Sequence, residues 1–204
     1  MNPSDITIKT YDDSADQFDL HFSDYFGQGP RISDIKKGLE LVGKNQPVRV
    51  VEIGCGTGRD AKEIVKLVDW YQGFDPSKGL LEVAKKKVPD APFILADALS
   101  YIYPKDVDII FAFASLLHID RENLEKVFPK ALGSLRSGGI FYISLKEADE
   151  YKEALKTDRF GDRMFYYYNP KIIVDMAGDD FELIYEDHQQ IGTAKWFNIA
   201  LKKV

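Results

Sequence analysis

The sequence predicts a doubly wound α/β fold, a mostly parallel sheet that ends in an antiparallel C-terminal strand pair. Three observations carry that expectation. From Val48 onward, short β-branched runs alternate with amphipathic stretches, which marks strand and helix in turn and hence a parallel sheet. The fourth such run, Val107–Phe113, is apolar apart from Asp108, as a strand covered on both faces should be. Only about ten residues separate the last two runs, too few for a helical crossover, so they pair antiparallel.

The elements follow in order. Residues 1–46 are polar and acidic, and within them 11–26 read as a helix with Phe18, Phe22 and Phe26 at spacings of four. Residues 48–53 are a β-branched run ended by glycines, a buried strand. Over 60–68, Ala61, Ile64, Val65 and Val68 share one helical face. Residues 71–74 form a second strand, and Ser77 caps a helix whose stripe is Leu80, Leu81, Ala84 and Val88. Residues 93–96 and 107–113 are the third and fourth strands. Leu124, Val127, Phe128, Ala131, Leu132 and Leu135 then keep helical spacing, with Pro129 expected to break or restart the helix. Gly138 and Gly139 end it before a fifth strand over 140–145. Residues 146–162 are charged and poorly patterned, read as a solvated helix face or a mobile lid. An aromatic cluster over 164–168 and a short helix opened by Pro170 lead to the closing strands, 181–186 and 196–201. Seven strands with right-handed crossovers put helices on both faces, a Rossmann-like arrangement.

The 204 residues are expected to form one domain: a helical cap over 1–47, a ligand-binding half over 48–145, and a substrate-side insert with the closing strands over 146–204. A composition of 45% hydrophobic and 29% charged residues is the ordinary globular balance. No apolar run reaches the roughly 18 residues needed to span a bilayer, and the first nine residues lack the pattern of a secretory signal. A cytoplasmic protein without a membrane partner is expected. A net charge of −6 speaks against a nucleic-acid surface. The single cysteine, Cys55, excludes an intramolecular disulfide and a multi-cysteine metal site, so no metal is expected.

The most informative segment runs from Val50 to Asp60, a strand entering a glycine turn and then a helix. Its spacing is G-x-G-x-G, at Gly54, Gly56 and Gly58, preceded by Glu52. A dinucleotide fingerprint would place glycine at 59, where Arg59 stands; a P-loop would need Gly-Lys-Ser/Thr. The pattern resembles the glycine motif of class I S-adenosylmethionine-dependent methyltransferases, and the resemblance extends over about 48–204. Asp75, 19 residues beyond Gly56, falls where that family holds the ribose hydroxyls; a carboxylate accepts from two adjacent hydroxyls at once. Asp97 and Ala98 fall where the family contacts adenine, and Ala114 and Ser115 where it contacts the methionine part. The resemblance thus implies S-adenosyl-L-methionine as cofactor, held by Glu52, Gly54, Cys55, Gly56, Thr57, Gly58, Asp75, Pro76, Ser77, Asp97, Ala98, Ala114 and Ser115, with Tyr11 reaching over it. Singly, the glycines are also a tight turn and Asp75 also a helix cap. Acids after three consecutive strands in register favour binding.

Methyl transfer from a sulfonium is an in-line displacement that needs alignment more than a covalent intermediate or a metal. A general base helps a hydroxyl or ammonium acceptor, and His118 is the candidate; the alternative is a histidine that caps the next segment or touches cofactor without proton transfer. The aromatic run 165–168 is either an acceptor-pocket wall or a packed strand. The expected activity is methyl transfer to an unidentified small molecule. Nucleic acid is disfavoured further because Ala114-Ser115-Leu116-Leu117 stands where enzymes acting on its amino groups carry Asn-Pro-Pro-Tyr. The alternatives are a nicotinamide-dependent oxidoreductase, disfavoured by Gly58 and Arg59, and a non-catalytic cofactor-binding partner subunit.

Overall fold

The computed structural model describes residues 3–24, 31–43 and 48–204. The chain begins with helices α1 (Pro3–Asp24) and α2 (Ile32–Val42) and continues through β1 (Arg49–Ile53), α3 (Ala61–Ile64), β2 (Trp70–Asp75), α4 (Lys78–Lys87), β3 (Phe93–Leu95) and β4 (Val107–Phe113). A 3-10 turn over Leu116–His118 leads into α5 (Arg121–Ser134) and β5 (Leu135–Lys146). Then come β6 (Lys152–Asp158), β7 (Gly161–Tyr167), α6 (Pro170–Ala177), β8 (Phe181–Ile191) and β9 (Ala194–Lys203). Among the described residues no helix is long and apolar enough to cross a membrane.

Seven strands make one sheet in the order β3-β2-β1-β4-β5-β9-β8. The first five run parallel, and β9 is antiparallel to both β5 and β8, so the sheet and its closing pair are those the sequence predicts. Alternation along each strand divides the core in two. On one face Ile109, Phe111 and Tyr142 pack with Ile35 of α2, Ala61 and Ile64 of α3, and Leu81 and Ala84 of α4. On the other, Ile110, Ala112, Phe141 and Ile143 pack with Leu124, Val127, Phe128 and Ala131 of α5 and Ile173 of α6. After β1 the chain winds outward through β2 to β3; after β4 it winds the other way to β5. The crevice between β1 and β4 is therefore the topological switch point, where such sheets bind ligands.

Several elements differ from expectation, each for a local reason. Helix α1 starts at Pro3, earlier than the predicted 11–26, and Phe26 lies outside the described residues. Helix α2 was not foreseen, although Ile32, Ile35, Leu39 and Val42 keep helical spacing and Gly43 ends it in the left-handed conformation at φ 64°. Helix α3 stops at Ile64, short of Val68, because β2 must start at once: the Asp69 carboxylate accepts from the Val48 N–H at 2.7 Å and the Asp69 N–H donates to the Val48 carbonyl at 3.0 Å. Pro129 does not break α5; it is exposed, as is Glu125 four residues before it, so the carbonyl that loses its donor faces water. Strand β5 begins at Leu135 rather than 140.

The segment 146–162 is not a helix face. Its charged residues lie on β6, exposed along almost its whole length and paired with β7 in a separate two-stranded hairpin that turns at Gly161, φ 123°. A strand exposed on both faces shows no apolar period, and so its sequence resembles any solvated segment. The aromatic run follows β7 and its end, with Phe165, Tyr166 and Tyr168 buried in the core, while Phe165 is also on the cavity wall.

Candidate active site

A cavity of about 720 Å³ opens at the carboxyl ends of the parallel strands, lined by the loops after β1, β2, β3 and β4 and roofed by α1, β7 and β9. Its floor is the glycine turn. Gly54, Gly56 and Gly58 all have positive φ, 67°, 54° and 71°. A side chain at Gly54 would meet the Ser115 Cβ at 2.2 Å, so its absence lets the strand-four loop close on strand one, and the Ser115 hydroxyl donates to the Ile53 carbonyl at 2.7 Å. A Cβ at Gly56 would meet nothing within 4 Å: this residue presents bare backbone to open space. Gly54 and Cys55 donate their N–H groups to the Phe74 carbonyl at 2.8 and 3.1 Å, which binds the turn to β2. Cys55 is buried, and burial pushes its thiol pKa well up, against any nucleophilic use. Ala114, at φ 54°, is a non-glycine residue in the left-handed region directly after β4 and turns the chain toward β1.

Asp75 ends β2 with its carboxylate aimed into the crevice. One oxygen accepts from the Gly56 N–H at 2.9 Å and the other from the Ser77 N–H at 2.9 Å. Burial lifts its pKa to about 6 against these two bonds. Ser77 caps α4 as predicted, accepting from the Leu80 N–H at 3.1 Å, while its hydroxyl donates to Asp12 of α1 at 2.7 Å. Pro76, Thr57 and Ala98 also line the cavity. Asp97 does too, but its oxygens are committed to a local turn, accepting from the Leu99 and Ser100 N–H groups at 2.7 and 2.9 Å and from the Ser100 hydroxyl at 2.6 Å. Partial burial would raise its pKa; those donors outweigh it and hold the pKa below the ordinary value.

Two of the expected cofactor residues are not on the cavity wall. Glu52 is 1% exposed beneath the glycine turn, where it accepts from the Tyr71 hydroxyl at 2.5 Å, and burial followed by the nearby Asp60 pushes its pKa up to about 8. Alternation along β1 turns it into the sheet face, so it supports the loop from behind. Gly58 faces α4 instead, where a Cβ would lie 3.1 Å from that of Ala84.

His118 lines the cavity but has no free ring nitrogen. Its Nδ1 lies 2.6 Å from the Met164 carbonyl, which can only accept, so Nδ1 carries the proton and Nε2 accepts from the Tyr11 hydroxyl at 2.8 Å. Burial drives its pKa down to about 3. This histidine is held neutral as a support for Tyr11, whose hydroxyl also accepts from Arg163 at 3.1 Å. Both of its ring nitrogens are engaged by the protein itself, by Met164 and by Tyr11.

No sequence signal points to Asp12, Arg31, Arg163 or Trp196, and Lys146 carries only a weak one. Asp12 belongs to α1, and the other four line the cavity from the segment before α2, the end of β5, β7 and β9. Only the position of Lys146 at a strand's carboxyl end was a readable cue.

The comparisons agree with this geometry. A family described as "methyltransferase domain" matches residues 50–139. A trans-aconitate 2-methyltransferase of Rhodopseudomonas palustris is 31% identical over 138 residues, 66% of this chain and 50% of that protein. A malonyl-[acyl-carrier protein] O-methyltransferase of Ilyobacter polytropus is 30% identical over 157 residues, 73% of this chain and 53% of that protein. The chain thus spans about half the length of these curated relatives. Among solved structures, the Burkholderia thailandensis 1,6-didemethyltoxoflavin-N1-methyltransferase with bound S-adenosylhomocysteine superposes with a TM-score of 0.75 at 14% identity, over 100% of this chain and 91% of that one. At that identity the likeness speaks for the fold.

Proposed function

We propose that this chain, which belongs to the class I S-adenosylmethionine-dependent methyltransferases, transfers a methyl group from that cofactor to a small-molecule acceptor. The observation that carries the reading is the Asp75 carboxylate, fixed by two backbone amides and facing the crevice at the switch point. The residues present fit the cofactor. Gly56 offers backbone with no side chain in the way, and Asp75 keeps lone pairs for two adjacent hydroxyls after accepting two amides. Asp97, Ala98, Phe74 and Leu80 supply a largely apolar wall with one acid at its edge, suited to a flat heterocycle. S-Adenosyl-L-methionine, when bound, supplies a methyl group already activated for displacement.

The chain's own residues bind, align and exclude water. Ala114 and Ser115 fix the floor between β1 and β4 through the Ser115 bond to Ile53. Tyr11, set by His118 and Arg163, closes the roof, and Asp12 fastens α1 to the start of α4 by accepting from Ser77 and from the Gly79 N–H at 2.8 Å. The relative named for methylation of trans-aconitate supports an organic small-molecule acceptor, whereas the one named for malonyl-[acyl-carrier protein] acts on an acyl group carried by a protein.

Thermal melts test the reading. S-Adenosylhomocysteine at 100 times its dissociation constant is expected to stabilise the protein by about 2.7 kcal/mol, and Asp75→Ala to abolish the shift. Stabilisation by NAD alone overturns the reading; an unaltered shift in Asp75→Ala overturns the ribose assignment.

A further inference from the structure

The cavity continues past the switch point into a basic end that the residues assigned to the cofactor do not occupy. From β2, which carries Asp75, to β5, which ends in Lys146, is three steps across the sheet, roughly 14 Å at the usual strand spacing. There the Lys146 ammonium lies 4.2 Å from the centre of the Phe165 ring and 5.6 Å from that of Trp196. The Arg31 guanidinium lies 5.6 Å from the same Trp196 ring and 5.6 Å from Phe113, and donates to the Ser144 hydroxyl at 2.9 Å. All of these except Ser144 line the cavity.

The two cations are differently placed for charge. Arg31 has Asp34 at 3.6 Å, a loose pair. Lys146 has no carboxylate within pairing distance among the described residues, and burial, then Lys156 and Arg163, press its pKa down to about 8. The Phe165 and Trp196 rings and the more distant Asp158 offset part of the cost of this half-buried ammonium, but with Lys156 and Arg163 beside it and no paired carboxylate it still favours an anion. The acids on the cavity wall are not available to it. Asp158 is paired with Arg163, Asp60 with Arg59 and Asp19 with Lys87, while Asp34 accepts from Tyr142, Asp75 from two amides and Asp97 from Ser100. With His118 engaged at both nitrogens, those groups are also poorly placed to take a proton from an acceptor. An acceptor that is already ionised at neutral pH needs none taken.

We propose that Lys146 and Arg31 hold a small organic carboxylate as the methyl acceptor, with Trp196, Phe113 and Phe165 enclosing its carbon skeleton. This rests on the methyltransferase reading above. A carboxylate oxygen forms the new O–CH3 bond as the S–CH3 bond breaks and its electron pair stays on sulfur. One negative and one positive charge disappear together, leaving a methyl ester and a thioether, and no proton moves.

The test supplies the full chain with methyl-labelled cofactor and a panel of metabolite mono-, di- and tricarboxylic acids, with the corresponding alcohols and amines alongside. Label is expected only on acids, as a base-labile methyl ester. Lys146→Met should raise the KM for the acid by about tenfold or more, the scale of one charged hydrogen bond, while calorimetric affinity for S-adenosylhomocysteine stays that of the wild type. Binding of the same acid to the S-adenosylhomocysteine complex, read by calorimetry without turnover, should weaken in parallel. Lys146→Arg should restore both, because arginine keeps the charge and cannot serve as a base. Transfer to alcohols or amines that Lys146→Arg abolishes would make Lys146 a base and overturn the proposal, as would no transfer to any acid. A wild-type protein that fails to bind S-adenosylhomocysteine overturns the methyltransferase reading instead.

Discussion

Asp75 is the residue on which the proposed cofactor site turns, and its environment sets a pH limit on binding. Its pKa is raised to about 6 by burial, from an ordinary value near 3.8, so the free protein carries a carboxylate above pH 6 and a neutral acid below it. Only the ionised form accepts from two hydroxyls with both oxygens, so affinity for S-adenosylhomocysteine should be flat above pH 6 and fall by up to about tenfold per unit below it. Calorimetry between pH 5 and 8 checks this; a dissociation constant constant down to pH 5 would show that Asp75 does not contact the ligand. Asp75 was legible in sequence because position and chemistry coincide: it ends β2 at the carboxyl edge of a parallel sheet, the edge at which such folds bind ligands. His118 was legible as a member of the site and not by its role. Its neutral state is imposed by the Met164 carbonyl and the Tyr11 hydroxyl, which lie 46 and 107 residues away in the chain.

At the scale of elements, α1 closes the cavity through contacts made by its polar face. Thr10 donates to the Asp162 carbonyl at 2.6 Å and Thr7 accepts from the Met164 N–H at 3.0 Å, which fastens α1 to β7; Asp12 fastens it to α4. Phe18 and Phe160 add an edge contact at 5.4 Å. Asp12→Ala removes the acceptor of two hydrogen bonds at the start of α4, with an expected loss of about 1 kcal/mol in stability and faster release of S-adenosylhomocysteine. Thermal melts and stopped-flow release measure the two effects; an unchanged release rate would mean α1 does not retain the ligand. The aromatic spacing of Phe18 and Phe22 was enough to predict a helix here. That the next contacts would come from a hairpin was not readable, because β6 is solvated on both faces and has no apolar alternation to betray it.

Across the whole molecule, the site is assembled from pieces of unequal stability. The floor belongs to β1, β2 and β4, central strands packed on both faces, whereas the roof belongs to α1 and the two-stranded hairpin outside the main sheet. Hydrogen exchange should therefore show S-adenosylhomocysteine slowing α1 and Gly161–Tyr167, with β4 and β5 exchanging only at the global rate in both states. Protection confined to the Gly54–Gly58 turn would separate the roof from the ligand. On the cavity wall Asp75 ends β2 and Asp97 follows β3, while Lys146 ends β5 three strands from β2 and Arg31 lies beside Asp34 and Asp60. The sequence by itself determined the sheet, its order of elements and the acids after β2 and β3, because periodicity and strand-end position are local properties that survive folding. Tertiary structure alone decided that Glu52 lies beneath the glycine turn, that His118 is held neutral, and that Arg31, Lys146 and Trp196 meet. Each of those depends on which faces pack together and on the dielectric and partners that packing creates, quantities with no trace in the spacing of residues along the chain.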